Sequence, residues 1–200
     1  MGIARTLFAL AIVSSTACSP SPATPDNGPI TPPFVVSDHF APTGYEGDGA
    51  QVGLVLQTND TCPTRAPSPA GDCYEVVYKP STAWAGVVWQ YPGNNWGTKP
   101  GRKILPGAKR LTVWARGKNG GEKLELNVGG VNEGGEFQYQ DSIKAGTSVT
   151  LTTEWQQFTV NFGPKTYDEV IGAFGWICRV TQEQRNGTIG FYLDGIQWES

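Results

Sequence analysis

The chain has 200 residues, room for one domain with appendages and for a hydrophobic core that needs no staples. Lys+Arg 15 against Asp+Glu 18 leaves a formal charge of -3, and no basic run exceeds two residues, which excludes a phosphate-neutralising nucleic-acid surface. Gly 26 and Pro 15 beside only 16% charged residues point to turn-rich β structure, and 7 Trp in such a chain ask for a reason.

Arg5, the short apolar run 7–13 and the small residues Ser15, Thr16 and Ala17 before Cys18 have the make-up of a cleaved export signal over 1–17. The run is far below the ~20 residues that span a bilayer. Residues 15–18 resemble the lipobox of bacterial lipoproteins, which implies lipidation of Cys18 and an outer-membrane or cell-surface location. Ser15 departs from that pattern, where an aliphatic residue is usual. Prolines at 20, 22, 25, 29, 32 and 33 then make 18–33 an extended tether, leaving 34–200 as the folded part.

From residue 34 onward, short β-branched and aromatic runs alternate with Gly, Pro and Asn, and no stretch keeps a helical period. Strands are predicted over 34–40, 51–58, 73–79, 83–90, 110–116, 122–128, 148–151, 156–162, 173–180 and 188–198, with one helix-like turn over 165–171. Ten strands suit an all-β, two-sheet antiparallel jelly-roll sandwich. Asn119-Gly120-Gly121 reads as a hairpin turn between two of them. That pairing puts Leu111, Val113, Ala115, Leu124, Leu126 and Val128 on a core face and Trp114, Arg116, Glu125 and Asn127 together on the other, with Arg116 opposite Glu125.

Cys62 and Cys73 flank a Pro- and Gly-rich loop and are the expected disulfide; Cys178 shares a face with Phe174 and Trp176 and reads as a buried thiol. His39 follows Ser37 and Asp38 without a nucleophile elbow, and no paired-carboxylate strand motif is present, so no catalytic residues are assigned. Trp84, Trp89, Tyr91 and Trp96 crowd into thirteen residues with Asn94 and Asn95 between them. Sugars stack C–H faces on aromatic rings and present hydroxyls to amides, so this composition suits a saccharide; Trp84 and Trp89 have opposite parity, and one of them is expected in the core. Glu46 and Asp48 in the loop 44–49 offer oxygens to a hard cation such as calcium, and Asp194, inside an apolar run, needs a partner or a metal.

Over 34–200 the chain resembles the β-jelly-roll carbohydrate-binding modules of the galactose-binding-like type. The resemblance rests on Glu46-Gly47-Asp48, on residues 111–117, on the strand 155–162 and on the closing run 191–198. It implies a structural calcium tying Glu46 or Asp48 to Asp194, although Gly195 stands where a second ligand is usual. It also implies non-catalytic binding of a polysaccharide or glycan by a monomer, with membrane contact only through the N-terminal lipid. The ligand-binding residues would be Trp114, Arg116, Glu125 and Asn127 on a sheet face, or Trp89, Tyr91, Asn95 and Trp96 at the loops. The rival readings are a small β-sandwich glycanase or lyase using Glu125, Glu136, Asp141 or Glu154, and an envelope module that docks protein through a Trp-rich patch.

Overall fold

The computed structural model describes residues 28–57, 62–65, 72–163 and 165–200; residues 1–27, including the expected signal and Cys18, lie outside them. The strands are β1 (Phe34–Val35), β2 (Ala41–Gly47), β3 (Val52–Gln57), β4 (Cys73–Tyr78), β5 (Trp84–Gln90), β6 (Arg102–Lys103), β7 (Arg110–Gly117), β8 (Lys123–Gly129), β9 (Lys144–Thr150), β10 (Gln156–Asn161), β11 (Glu169–Val170), β12 (Gly172–Arg179) and β13 (Ile189–Glu199). Two antiparallel sheets face each other: one in the order β10-β7-β13-β4-β3 with β1 added along β13, the other β2-β5-β12-β8-β9. This is the two-sheet antiparallel sandwich expected from the strand pattern.

Period-two alternation decides which side chains enter the core. Val113 and Leu193 from the first sheet and Val87, Trp89, Leu126 and Trp176 from the second are all fully buried. Rings join the sheets: Trp176 packs edge-on against Phe191 at 5.0 Å, and Trp89 against Tyr74 at 5.2 Å. Trp198 of β13 lies among Phe34, Phe162 and Tyr167, and its indole N–H donates across the sandwich to the Ala173 carbonyl of β12 at 2.9 Å. Cys62 and Cys73 form the expected disulfide, and Cys178 is a free, buried thiol.

Four expectations are corrected. The strand predicted over 34–40 stops after Val35, and Val36–Asp38 make a 3-10 turn. The predicted loop 44–49 is mostly β2, an edge strand whose register shift between Pro42 and Gly44 absorbs the proline that an inner strand would not accept. Residues 165–171 form no helix; Glu169–Val170 pairs instead with Arg102–Lys103. Part of the expected tether also joins the body: Ile30 is buried, donates to Lys103 O and accepts from Leu105 N–H, so the fold begins before Phe34.

The largest correction concerns the turn at Asn119-Gly120-Gly121. Gly120 and Gly121 have the expected positive φ, but the turn joins no hairpin: β7 belongs to the first sheet and β8 to the second. The N–H of Gly117 donates to Thr152 O, Leu151 N–H donates to Glu122 O, and the chain crosses between sheets. The six apolar residues assigned to one face are all buried, but as two sets meeting across the core. Trp198→Ala, which removes the ring and the cross-sheet hydrogen bond, should cost about 3–5 kcal/mol in denaturant unfolding.

Candidate functional site

The residues predicted to bind ligand are not gathered in one place. Trp89 is the core member of the Trp84/Trp89 pair, with 0% exposure. Asn95 is buried as a loop staple, donating to Tyr91 O and Lys99 O and accepting from the N–H groups of Gly97 and Lys99. Tyr91 lies against Phe40 and beneath Arg102, and Trp96, which follows Asn95, is half-buried. Because β7 and β8 lie in different sheets, Trp114 and Arg116 sit on the outer face of one sheet and Glu125 and Asn127 on the outer face of the other. Glu125 therefore pairs with Arg179 at 3.0 Å rather than with Arg116.

The middle of the outer face of the first sheet is covered by the chain itself, while Val55 and Gln157 toward its edges stay exposed. Arg65 lies over the Trp114 ring at 4.9 Å and pairs with Asp194 at 2.7 Å. Trp155 rests against Tyr192, and its indole N–H donates to Pro63 O at 3.0 Å. Lys118 lies over Tyr192 and pairs with Glu75. These aromatics seat the disulfide-tied segment 62–65, and the charge on Asp194 is answered by arginine.

Two of the three residues expected to hold calcium are already engaged by protein donors. Asp194 is neutralised by Arg65, and Asp48 accepts from Tyr78 Oη, Ser81 N–H, Ser81 Oγ and Thr82 N–H, all of them hydrogen-bond donors already occupying its oxygens. Burial alone would raise the Asp48 carboxyl, but bonds from Ser81, Thr82 and Tyr78 hold it well below the usual carboxylate range. Among the described residues no group of three His, Cys, Asp or Glu side chains could hold a metal ion. Asp48 instead fastens the turn 79–83 to the end of β2.

The second sheet leaves its outer face open, and its register lays out a trench. Gly44, Val88, Gly175, Asn127 and Gly146 are successive paired neighbours across all five strands. Three of these five positions carry no side chain, but Gln90 lies over Gly44 and Asn127 Oδ1 over Gly146, where added Cβ atoms would meet them at 2.6 and 2.4 Å, so the low part of the floor is confined to the middle of the sheet around Gly175. The next row, Glu46, Gly86, Ile177, Glu125 and Ser148, forms one bank. Glu46 leans inward: a Cβ added at Gly86 would meet its Oε2 at 3.6 Å, and burial pushes its carboxyl above the ordinary range. The opposite bank is Gly129, Gly130, Val131 and Lys144. Beyond the Glu46 bank, Arg179 stands over the half-buried ring of its partner Trp84 at 5.9 Å. Acceptors, donors and apolar patches thus alternate along an open channel, an arrangement suited to a ladder of hydroxyls and C–H faces.

Sequence reading missed Trp84, Val88, Lys144 and Arg179, and assigned Glu46 to a metal. The available signal was parity, since each occupies an outward position between core residues or, for Lys144, the edge of the face; which sheet each strand joins was not available. Of the four carboxylates considered for catalysis, Glu125 lines the trench, Glu136 and Glu154 are exposed elsewhere, and Asp141 is occupied by backbone N–H groups of Val131, Ile171 and Gly172.

No known family model matches the chain, and no curated protein matches its sequence. Solved structures with a similar arrangement include a family 11 carbohydrate-binding module from Clostridium thermocellum in complex with a β-1,3-1,4-mixed-linked tetrasaccharide, at 15% identity and TM-score 0.49, covering 78% of this chain and 88% of that one. TmCBM61 in complex with β-1,4-galactotriose is similar at 16% identity and TM-score 0.47, covering 80% and 89%. A family 30 carbohydrate-binding module of a Clostridium thermocellum cellulosomal cellulase is similar at 16% identity and TM-score 0.47, covering 86% and 94%.

Two outcomes are expected. EDTA should leave the thermal midpoint of the protein where calcium leaves it; a calcium-dependent rise of several degrees would restore the expected structural calcium. A carboxyl held low in the folded state stabilises above its unfolded pKa of about 3.9 and ceases to as pH falls through its folded value. Asp48→Asn should therefore lower the midpoint at pH 7 and flatten the loss of stability below about pH 4, read by thermal melts across pH.

Proposed function

We propose that the protein binds polysaccharide without covalent chemistry, holding an internal stretch of chain in the trench across β2-β5-β12-β8-β9. The observation that carries this reading is the groove on the outer face of the second sheet, floored by Val88, Gly175 and Asn127 and flanked by Glu46, Glu125, Arg179 and Lys144. The covered state of the opposite face, where Arg65 occupies Trp114, supports the same choice. Residues 1–17 then act as the export signal and Cys18 as the lipid attachment, holding a monomer at the cell surface by the segment that follows; the composition of 1–33 supports this part.

A second reading, cleavage of a glycan, has one observation in its favour: Glu46 and Glu125 share a row on the trench, the first raised by burial and the second paired with arginine. Release of reducing ends would establish it.

The test is affinity electrophoresis of residues 18–200 carrying Cys18→Ser through gels containing plant, algal and bacterial polysaccharides. Retardation by one polymer class with no product formed is the expected result. Uniform migration would overturn the reading in favour of protein docking. In titrations with the retarding polymer, Glu125→Ala and Arg179→Ala should each weaken binding about tenfold, equivalent to about 1.4 kcal/mol, and Trp114→Ala should leave affinity within about twofold.

A further inference from the structure

Beyond the bank formed by Glu46, Ile177, Glu125 and Ser148, the outer face of the second sheet carries one more row of outward side chains. β8 and β9 pair Lys123 with Thr150 there, as they pair Glu125 with Ser148 in the bank itself. On β12, Ile177 pairs with Glu125 and Cys178 with Leu124, so the next residue, Arg179, stands beside Lys123. Lys123, Arg179 and Thr150 on one side and Ile177, Glu125 and Ser148 on the other frame a second hollow. It shares Glu125, Ile177 and Arg179 with the trench, so the two depressions are continuous.

The charges in this hollow do not balance. Glu125 is the one carboxylate among its lining residues, and its Oε1 accepts from Arg179 Nε at 3.0 Å. That bond leaves the terminal amino groups of the guanidinium as further donors. Lys123 is exposed, and among the described residues no carboxylate pairs with it. The adjacent Glu122 faces the other way: it is buried, and its Oε1 accepts from Asn119 N–H at 2.9 Å. Two cations therefore stand side by side on neighbouring strands with one anion between them, in a chain whose formal charge is -3.

Like charges side by side on paired strands cost a sheet stability, and the Lys123 ammonium returns no contact to the fold. An anion seated between Lys123 and Arg179 would turn that cost into attraction. A guanidinium offers parallel N–H groups to the oxygens of a carboxylate or sulfate, and the hydroxyls of Ser148 and Thr150 can donate from the β9 side. The row lies two residues along the strands from the bank, about 7 Å, to the side of the trench and not at its end. A group projecting from a sugar ring and the reaching lysine side chain cover that span together.

We propose that the hollow between Lys123 and Arg179 receives an anionic substituent, a carboxylate or a sulfate ester, projecting sideways from the polysaccharide in the trench. The proposal rests on the reading that the trench binds polysaccharide, and it narrows the ligand to an acidic polymer.

The experiment is affinity electrophoresis of the full-length protein in gels containing polygalacturonate or its methyl ester, and carrageenan or its desulfated form, so that the members of each pair differ in the anionic group. Wild type should bind the acidic member of at least one pair fivefold or more tightly over the neutral one, and the difference should shrink in concentrated NaCl. The pair that shows the preference tells carboxylate from sulfate. Lys123→Ala should bind the acidic member no more tightly than the neutral one while keeping its thermal midpoint, and Lys123→Arg should retain the preference. Lys79→Ala, which removes the same charge from an exposed lysine outside the hollow, should behave as wild type. Equal losses in Lys123→Ala and Lys79→Ala, or retardation confined to uncharged polymers or to cationic chitosan, overturn the proposal and leave the trench reading standing. No retardation of wild type by any polymer overturns both.

Discussion

The interlocking of rings between the two sheets is the constraint on which the rest of the molecule depends. Trp89 and Trp176 come from the second sheet and meet Tyr74 and Phe191 of the first, while Trp198 adds a hydrogen bond from β13 to Ala173 of β12. Close packing of such large rigid groups leaves little freedom for the sheets to slide, since any shift would open voids on both sides. The inner face of each sheet is consumed in this contact. Only the outer faces remain for function, and their residues are fixed as the alternate positions of the same strands.

The two outer faces have opposite fates. On the first sheet, Trp114, Trp155 and Tyr192 are used internally: Arg65 and Pro63, carried on a segment tied down by the Cys62–Cys73 bridge, lie across them. On the second, glycines alternate with Val88 and Asn127 along one register row, and carboxylate, amide and cationic groups stand beside it. Aromatic content, the most visible feature of the composition, therefore marks the core and the covered face more than the open one. The open face is polar, with an aromatic ring at its margin in Trp84.

Much of the fold was legible in the sequence because period-two alternation is a local property. Residues 111–115 and 124–128 show their core members by parity alone, and the spacing of Cys62 and Cys73 announced their bridge. The candidate site was legible only in part. Glu125 and Asn127 were recognised as outward-facing and do line the trench, but they were grouped with Trp114 and Arg116 through a turn whose glycines have the expected positive φ and whose flanking strands part company. The parity of β7 and β8 is the same whether they lie side by side or face each other across a core, so alternation could not distinguish the two.

By itself, then, the sequence determined the class of structure, the inward or outward direction of residues such as 111–115 and 124–128, the disulfide and the need of Asp194 for a partner. The tertiary structure decided that the partner is Arg65, that Asp48 accepts from Ser81 and Thr82 of a turn, and that glycines from four separate segments, 44, 86, 146 and 175, fall on one face. The physical reason is sequence separation. Parity follows from backbone geometry over a few residues, whereas a row across five strands exists only once pairings between distant segments have fixed the register.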